Sequence, residues 1–310
     1  MIDLLKRNGA DLVNLFVVPI LIALMPWRIG FAVLRFMARH EKSHRATIEQ
    51  AWLAAAPYCP GEDADNWKWR FRLLRLLERV DTWLVFLRSS RWWAAHIDRT
   101  GDWPASAGPF VLLTYHWGGG QWIWRELHEQ GIPAHFIARR AQANDLGAGR
   151  VALWYARVRE RGIMRHGNRD VIFTGSSRRR IHDTIAAGGS VVGMMDLPPA
   201  AHQETFRRPL LDGVLRIPAG LAKIAAELGT SVLIFHCSFD LDTGRRRLSL
   251  RTLPGGTAPD AVATEYVAEL DRCLRLEPAF WQLWPAAPLM LEPASARSGR
   301  PDSQSRCTPL

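Results

Sequence analysis

From Leu12 to Trp27 the chain reads LVNLFVVPILIALMPW, sixteen residues without a charge. After Arg28 the apolar run resumes as IGFAVL and ends in a basic cluster of Arg35, Arg39, His40, Lys42, His44 and Arg45. A helix of that length rises about 24 Å, short of a hydrocarbon core roughly 30 Å thick. Pro19 and Pro26 also disfavour a straight span. The pattern predicts a membrane anchor and basic juxtamembrane helix over residues 1–45, spanning once or re-entrant in one leaflet, with a buried core helix as the alternative. No small-residue cleavage site follows, which argues against a secretory leader. Positive charge is heavier after the run than before it (Lys6, Arg7), which places the main body on the cytoplasmic side.

Residues 46–100 carry apolar positions at mixed three and four spacing and read as helical. One face, with Trp67, Trp69, Arg70, Arg72 and Arg75, is basic and aromatic together, fit either for water with snorkelling Arg or for anionic headgroups. From residue 109 strand and helix signals alternate. Strands are predicted at 109–116, 132–138, 190–196, 231–240 and 246–253; helices at 121–130, 148–161, 178–187, 218–228 and 263–276. Gly131, Gly162, Gly188 and Gly229 stand where helices should stop. The stretch 197–217 has prolines and little regular pattern, and reads as a long functional loop or lid. Residues 291–310, rich in Ser, Pro and Arg, read as a disordered tail. The expected architecture is an α/β domain over 46–290, a mixed, partly parallel sheet flanked by helices.

Composition narrows the partners. Of 310 residues, 40 are Lys or Arg against 30 acidic, a formal charge of +10. Apolar residues make up 48%, enough for a sizeable core. The four Cys (59, 237, 273 and 307) are widely spaced with no CxxC pair, which excludes a disulfide scaffold and a zinc ribbon. Fourteen Trp against four Tyr suit a membrane interface or an apolar groove. A basic chain of this kind meets an anionic membrane, a phosphorylated or acidic partner, or nucleic acid; no nucleic-acid-binding module is recognisable.

Two segments carry candidate chemistry. His40, Glu41 and His44 match HExxH, in which two His one helical turn apart bind zinc with Glu as base. Here Arg35, Arg39, Lys42 and Arg45 crowd the motif and repel a dication, so no metal site is assigned. The stronger segment is Thr114–Tyr115–His116–Trp117–Gly118–Gly119–Gly120–Gln121–Trp122. A strand ends at a His, three glycines follow and a helix begins, which places the imidazole at the carboxyl edge of a sheet, where open α/β folds bind ligands. The glycines admit a substrate close to the backbone, and the helix start offers N–H groups to an oxyanion.

A His followed by an acid in a strand–turn–helix context resembles the lysophospholipid acyltransferase superfamily. The form His-x-Gly-x-x-Glu is similar to the bacterial lipid A biosynthesis acyltransferases, the lauroyl and myristoyl transferases. Further features resemble that branch in order: the anchor with its basic helix; Gly188–Gly189–Ser190–Val191–Val192 leading to Asp196; Leu211–Asp212–Gly213; Pro218–Ala219–Gly220–Leu221–Ala222 with Gly229–Thr230–Ser231–Val232; and Glu277–Pro278–Ala279–Phe280–Trp281–Gln282–Leu283–Trp284 near the end. Gln121 stands where that pattern has its acid, and Asp196 is followed by Leu-Pro-Pro instead of Gln.

The resemblance implies transfer of a fatty acyl group from acyl carrier protein or coenzyme A to a lipid or other amphiphilic acceptor, without a cofactor, at the cytoplasmic face of a bacterial inner membrane. His116 would be the general base, paired with Gln121. Backbone N–H groups of Gly118, Gly119 and Gly120, or a nearby Arg, would meet the oxyanion, Arg159 or Arg161 a phosphate, and Asp196 the substrate. Because Gln121 lacks charge, the enzyme would be slow, or rescued by another carboxylate such as Glu126 or Asp196, or the chain would be a degenerate member that binds lipid or partners. A membrane zinc hydrolase at His40, Glu41 and His44 is the third alternative.

Overall fold

The computed structural model describes residues 2–40, 45–105, 108–140, 149–175 and 177–293. Ten strands build it: β1 (Ile97–Thr100), β2 (Phe110–Thr114), β3 (Ala134–Ala138), β4 (Ile172–Phe173), β5 (Ser190–Met194), β6 (Thr205–Leu210), β7 (Gly213–Pro218), β8 (Ser231–Phe239), β9 (Arg246–Leu253) and β10 (Leu291–Pro293). The main sheet has the order β1-β9-β8-β2-β5-β3-β4. Its β8–β9 pair is antiparallel and its other pairs are parallel, so the sheet is mixed as the alternating pattern predicts. Strand β2 lies mid-sheet and is buried at all five positions, as a strand covered on both faces must be.

Helices flank it: α1 (Ile2–Leu12), α2 (Val18–Leu24), α3 (Trp27–His40), α4 (Arg45–Ala55), α5 (Ala64–Leu87), α6 (Ser90–Ala94), α7 (Ile123–Glu129), α8 (Arg150–Gly167), α9 (Arg178–Ala186), α10 (Gly220–Glu227) and α11 (Pro259–Leu276). Asp63 starts α5 by accepting the Asn66 N–H at 2.7 Å, an N-cap contributing about 1 kcal/mol. The basic, aromatic stripe of α5 is turned inward only in part, with Trp69 and Arg72 half-buried and Arg75 exposed. Trp67 is fully buried; Arg70 is buried between Glu62 and Glu277; Arg72 donates to the Ala38 carbonyl at 2.7 Å.

The N-terminal segment lies along α5. Phe16, Ile22, Ala23, Trp27, Phe31, Leu34 and Ala38 are buried there, while Leu12, Val13, Val17, Leu21, Leu24, Ile29 and Phe36 are exposed. The chain breaks at Met25–Pro26, where Pro cannot continue the ladder. The segment is therefore amphiphilic, with one side in the protein core and the other bare. Removing residues 1–40 would uncover that core instead of trimming a separable anchor.

Four boundaries differ from expectation. The stretch 197–217 holds a hairpin, not a lid: β6 and β7 pair antiparallel around a two-residue turn, Leu211–Asp212, and β10 adds a third strand. Pro209 is tolerated because β6 is an edge strand. Strand β10 also takes Leu291–Pro293 out of the predicted tail; residues 294–310 lie outside the described residues. Helix α8 runs through Gly162, where a Cβ would stand 3.1 Å from Phe86 Cζ, and stops at left-handed Asn168. That glycine serves close helix packing. Strand β1, finally, is hidden in the sequence because Asp98, Arg99 and Thr100 face water at the sheet edge.

Candidate active site

Register builds the site. Strands β2 and β5 are parallel neighbours in which Thr114 faces Met194. Two residues beyond each strand stand His116 and Asp196, side by side at the carboxyl edge. His116 Nδ1 lies 3.0 Å from Asp196 Oδ1, and the His116 backbone N–H donates to Asp196 Oδ2 at 2.8 Å. Asp196 is fully buried and also accepts the Trp281 indole N–H at 3.0 Å on Oδ2, while the Tyr266 hydroxyl oxygen lies 3.4 Å from Oδ1. A carboxylate only accepts, so Nδ1 carries the proton and Nε2 holds a free lone pair. The His116 side chain is 28% exposed, open enough to be reached by a substrate. Burial opposes its protonated form, but the Asp196 charge and hydrogen bond, helped by Glu78, outweigh burial and raise its pKa above the usual 6.5.

The glycine turn is clamped from the C-terminal side. Gly118 N–H donates to Phe280 O at 2.9 Å, Gln282 N–H to His116 O at 2.8 Å, and the Gln282 amide to Gly118 O at 3.0 Å. Trp117 donates its indole N–H to Glu277 O at 2.9 Å. Since Gly118 N–H is occupied, it is not the oxyanion donor expected of it. The Gly119 and Gly120 N–H groups carry no hydrogen bond among the described residues and remain for that role.

Gln121 does not face His116. Its amide donates to Arg159 O at 3.2 Å, and Arg159 Nε donates back to its Oε1 at 3.3 Å. Helix α7 starts only at Ile123, so residue 121 still lies in the turn and points toward α8. Asp196 is thus no outward substrate contact; it holds the position that the sequence assigns to residue 121. Glu126, the other candidate carboxylate, is buried in an ion pair with Arg99 at 2.7 Å. Of the two arginines, Arg159 is half-buried beside Gln121 and Arg161 is exposed on α8.

His40 is exposed, its Nδ1 against Phe36 O at 2.8 Å and its ring stacked on Phe36, while Glu41 and His44 lie outside the described residues. Another trio with metal-ligand chemistry is His236, Glu269 and Cys273. Its carboxylate is already engaged, one oxygen 2.9 Å from His236 Nε2 and the other 2.6 Å from Arg272. The tryptophans expected in a groove are largely core: Trp67, Trp93, Trp122, Trp281 and Trp284 are fully buried. Sequence reasoning missed Glu78 and Tyr266; neither lies in a motif, and only packing brings them to the site. Trp281 lay within the closing segment already noted, without a role.

The chain is similar to a solved structure of the 1-acyl-sn-glycerophosphate (LPA) acyltransferase PlsC from Thermotoga maritima, at 14% identity and a TM-score of 0.35, over 81% of this chain and 97% of that one. No protein-family model matches the chain, and no curated protein matches it.

Proposed function

We propose that the chain is a membrane-associated acyltransferase that moves a fatty acyl group from the thioester of acyl carrier protein or coenzyme A to a hydroxyl or amine of a lipid acceptor, of lysophospholipid or lipid A type. The observation that carries this reading is the His116–Asp196 pair beside a glycine turn with unpaired N–H groups. His116 Nε2 takes the acceptor proton as the acceptor attacks the thioester carbonyl. Asp196 stabilises the imidazolium so formed. The Gly119 and Gly120 N–H groups face the oxyanion. Collapse of the tetrahedral species expels the thiolate, which recovers the proton from His116, so atoms and charge balance. Asp196 supplies the charge that Gln121 lacks, which removes the motive for a non-catalytic reading. Arg159, half-buried and hydrogen-bonded to Gln121, is the arginine assigned in this reading to an acceptor or donor phosphate.

The pH dependence tests this. His116 acts as a free base, so kcat/KM should rise with pH and level off above an inflection higher than 6.5, the ordinary His value. His116→Ala should lower transfer of a radiolabelled acyl group from its thioester to extracted membrane lipid by at least about a hundredfold. An activity that keeps its full value at pH 5, or survives in His116→Ala, removes His116 from the mechanism. The same raised pKa gives stability that is fully present below the unfolded-state value and is lost as pH rises through the folded-state one.

Membrane docking follows from the N-terminal segment. Lys6–Leu24 is long and apolar enough to cross a membrane, with a mean hydropathy of 1.5. Its bare side, with Leu21 53% and Leu24 60% exposed, would lie in lipid while Phe16 and Ile22 stay in the core. Leu21→Glu should strip the protein from anionic vesicles in a flotation assay and change the unfolding free energy by the roughly 0.5 kcal/mol or less typical of surface sites. Unchanged flotation would reject lipid contact at this face.

A further inference from the structure

We propose that Trp281 is a positioning residue for His116, acting through Asp196, so that the closing segment 277–284 sets the tautomer and basicity of an imidazole far upstream in the chain. The proposal rests on the His116–Asp196 pair described above. The two Asp196 oxygens have divided tasks. Oδ1 faces His116 Nδ1 at 3.0 Å. Oδ2 is held between the His116 backbone N–H at 2.8 Å and the Trp281 indole N–H at 3.0 Å, both donors fixed in place. Trp281 is fully buried, has an edge-on contact with Trp284, and forms an antiparallel bridge with Trp117, so its ring cannot swing away. Tyr266 supports the other side: its hydroxyl donates to Thr114 O at 2.7 Å and receives the Met195 and Asp196 N–H groups at 3.0 and 3.1 Å. It thereby ties the ends of β2 and β5 together.

The consequence is electrostatic as well as steric. A neutral donor on Oδ2 shares the carboxylate charge, so less of it falls on the imidazole. Without that donor the imidazolium becomes the chief compensation for a buried anion, and the His116 pKa should move upward. Oδ2 then keeps only the His116 backbone N–H, the carboxylate turns more freely about its Cβ–Cγ bond, its grip on Nδ1–H loosens and the Nε2–H tautomer gains population. Both changes leave Nε2 a poorer base at neutral pH.

The test is a titration of ¹³C,¹⁵N-histidine-labelled full-length protein by NMR, with the His116 signal assigned by its loss in His116→Gln. Trp281→Phe keeps a ring and removes the N–H. Trp284→Phe is the matched control, because that indole donates to Pro278 O at 2.7 Å and not to Asp196. In the wild type His116 should be the Nδ1–H tautomer. Trp281→Phe should raise its midpoint by about half a pH unit or more, the scale of one neutral hydrogen bond, and Trp284→Phe should leave it in place. If Trp281→Phe fails to fold, benzothienylalanine at 281 keeps the shape of the indole and lacks only the N–H. An unmoved midpoint and tautomer in the variant that folds overturn the role of Trp281 while leaving the pair intact. A wild-type His116 in the Nε2–H form overturns the pair itself, and the proposal with it.

Discussion

Asp196→Asn should slow acyl transfer by about 10⁴-fold while the protein stays folded. That is the cost of the analogous Asp-to-Asn change in the serine-protease triad, where the imidazole is left in the wrong tautomer. Asparagine at 196 still accepts the Trp281 and His116 N–H groups through its carbonyl oxygen. Its NH₂ donates where the aspartate accepts, so it turns Nδ1 into an acceptor and puts the proton on Nε2. Gln121→Glu, by contrast, should leave the rate within about threefold, because position 121 engages Arg159 and not His116. Both variants are read by steady-state transfer from a thioester donor, with thermal melts followed by circular dichroism to confirm folding. If Gln121→Glu accelerates the enzyme tenfold and Asp196→Asn leaves it unharmed, the carboxylate assignment is reversed.

Gly118→Ala should destabilise the protein by more than about 3 kcal/mol, the upper part of the range for overpacking a closed site with backbone strain added. The φ of Gly118 is +68°, and a Cβ there would stand 1.7 Å from the Cys237 carbonyl oxygen, an atom of β8 with no freedom to retreat. The neighbouring Gly120 has open space around its Cβ position and no positive φ, so Gly120→Ala should cost well under 1 kcal/mol. Urea unfolding midpoints at equal slope measure both. Equal losses for the two variants would mean that the close contact with β8 does not exist in solution.

Much of the fold was legible. Alternating strand and helix signals after residue 109 follow from periods of 2 and 3.6, which depend on local geometry alone, and β2, β3, β5, β8 and β9 fall where those periods place them. The hairpin β6–β7 was not legible, because its edge strand carries Arg207, Arg208 and Pro209 and shows water a polar face. The burial of Arg70 within the Arg-rich stripe on α5 was hidden for a related reason. Arg70 is buried only because Glu62 and Glu277 meet it, and the latter comes from the far end of the chain.

The site divides along the same line. Local pattern along the chain shows that a strand leads to His116 and three glycines, that another runs toward Asp196, and that residue 121 is uncharged. It also shows the uncharged N-terminal run with its basic flank. Which groups meet is set by packing across the sheet. Spacing along the chain favours residue 121 as the partner of His116, five positions away. The parallel register of β2 with β5 instead brings Asp196 to Nδ1 from 80 positions away. It also leaves Gln121 in a turn that faces α8, and lets a closing segment more than 160 residues downstream clamp the glycines. Hydrophobic period is a property of neighbours in sequence, whereas strand order is a property of the whole sheet, and the carboxylate that serves the histidine is chosen by strand order.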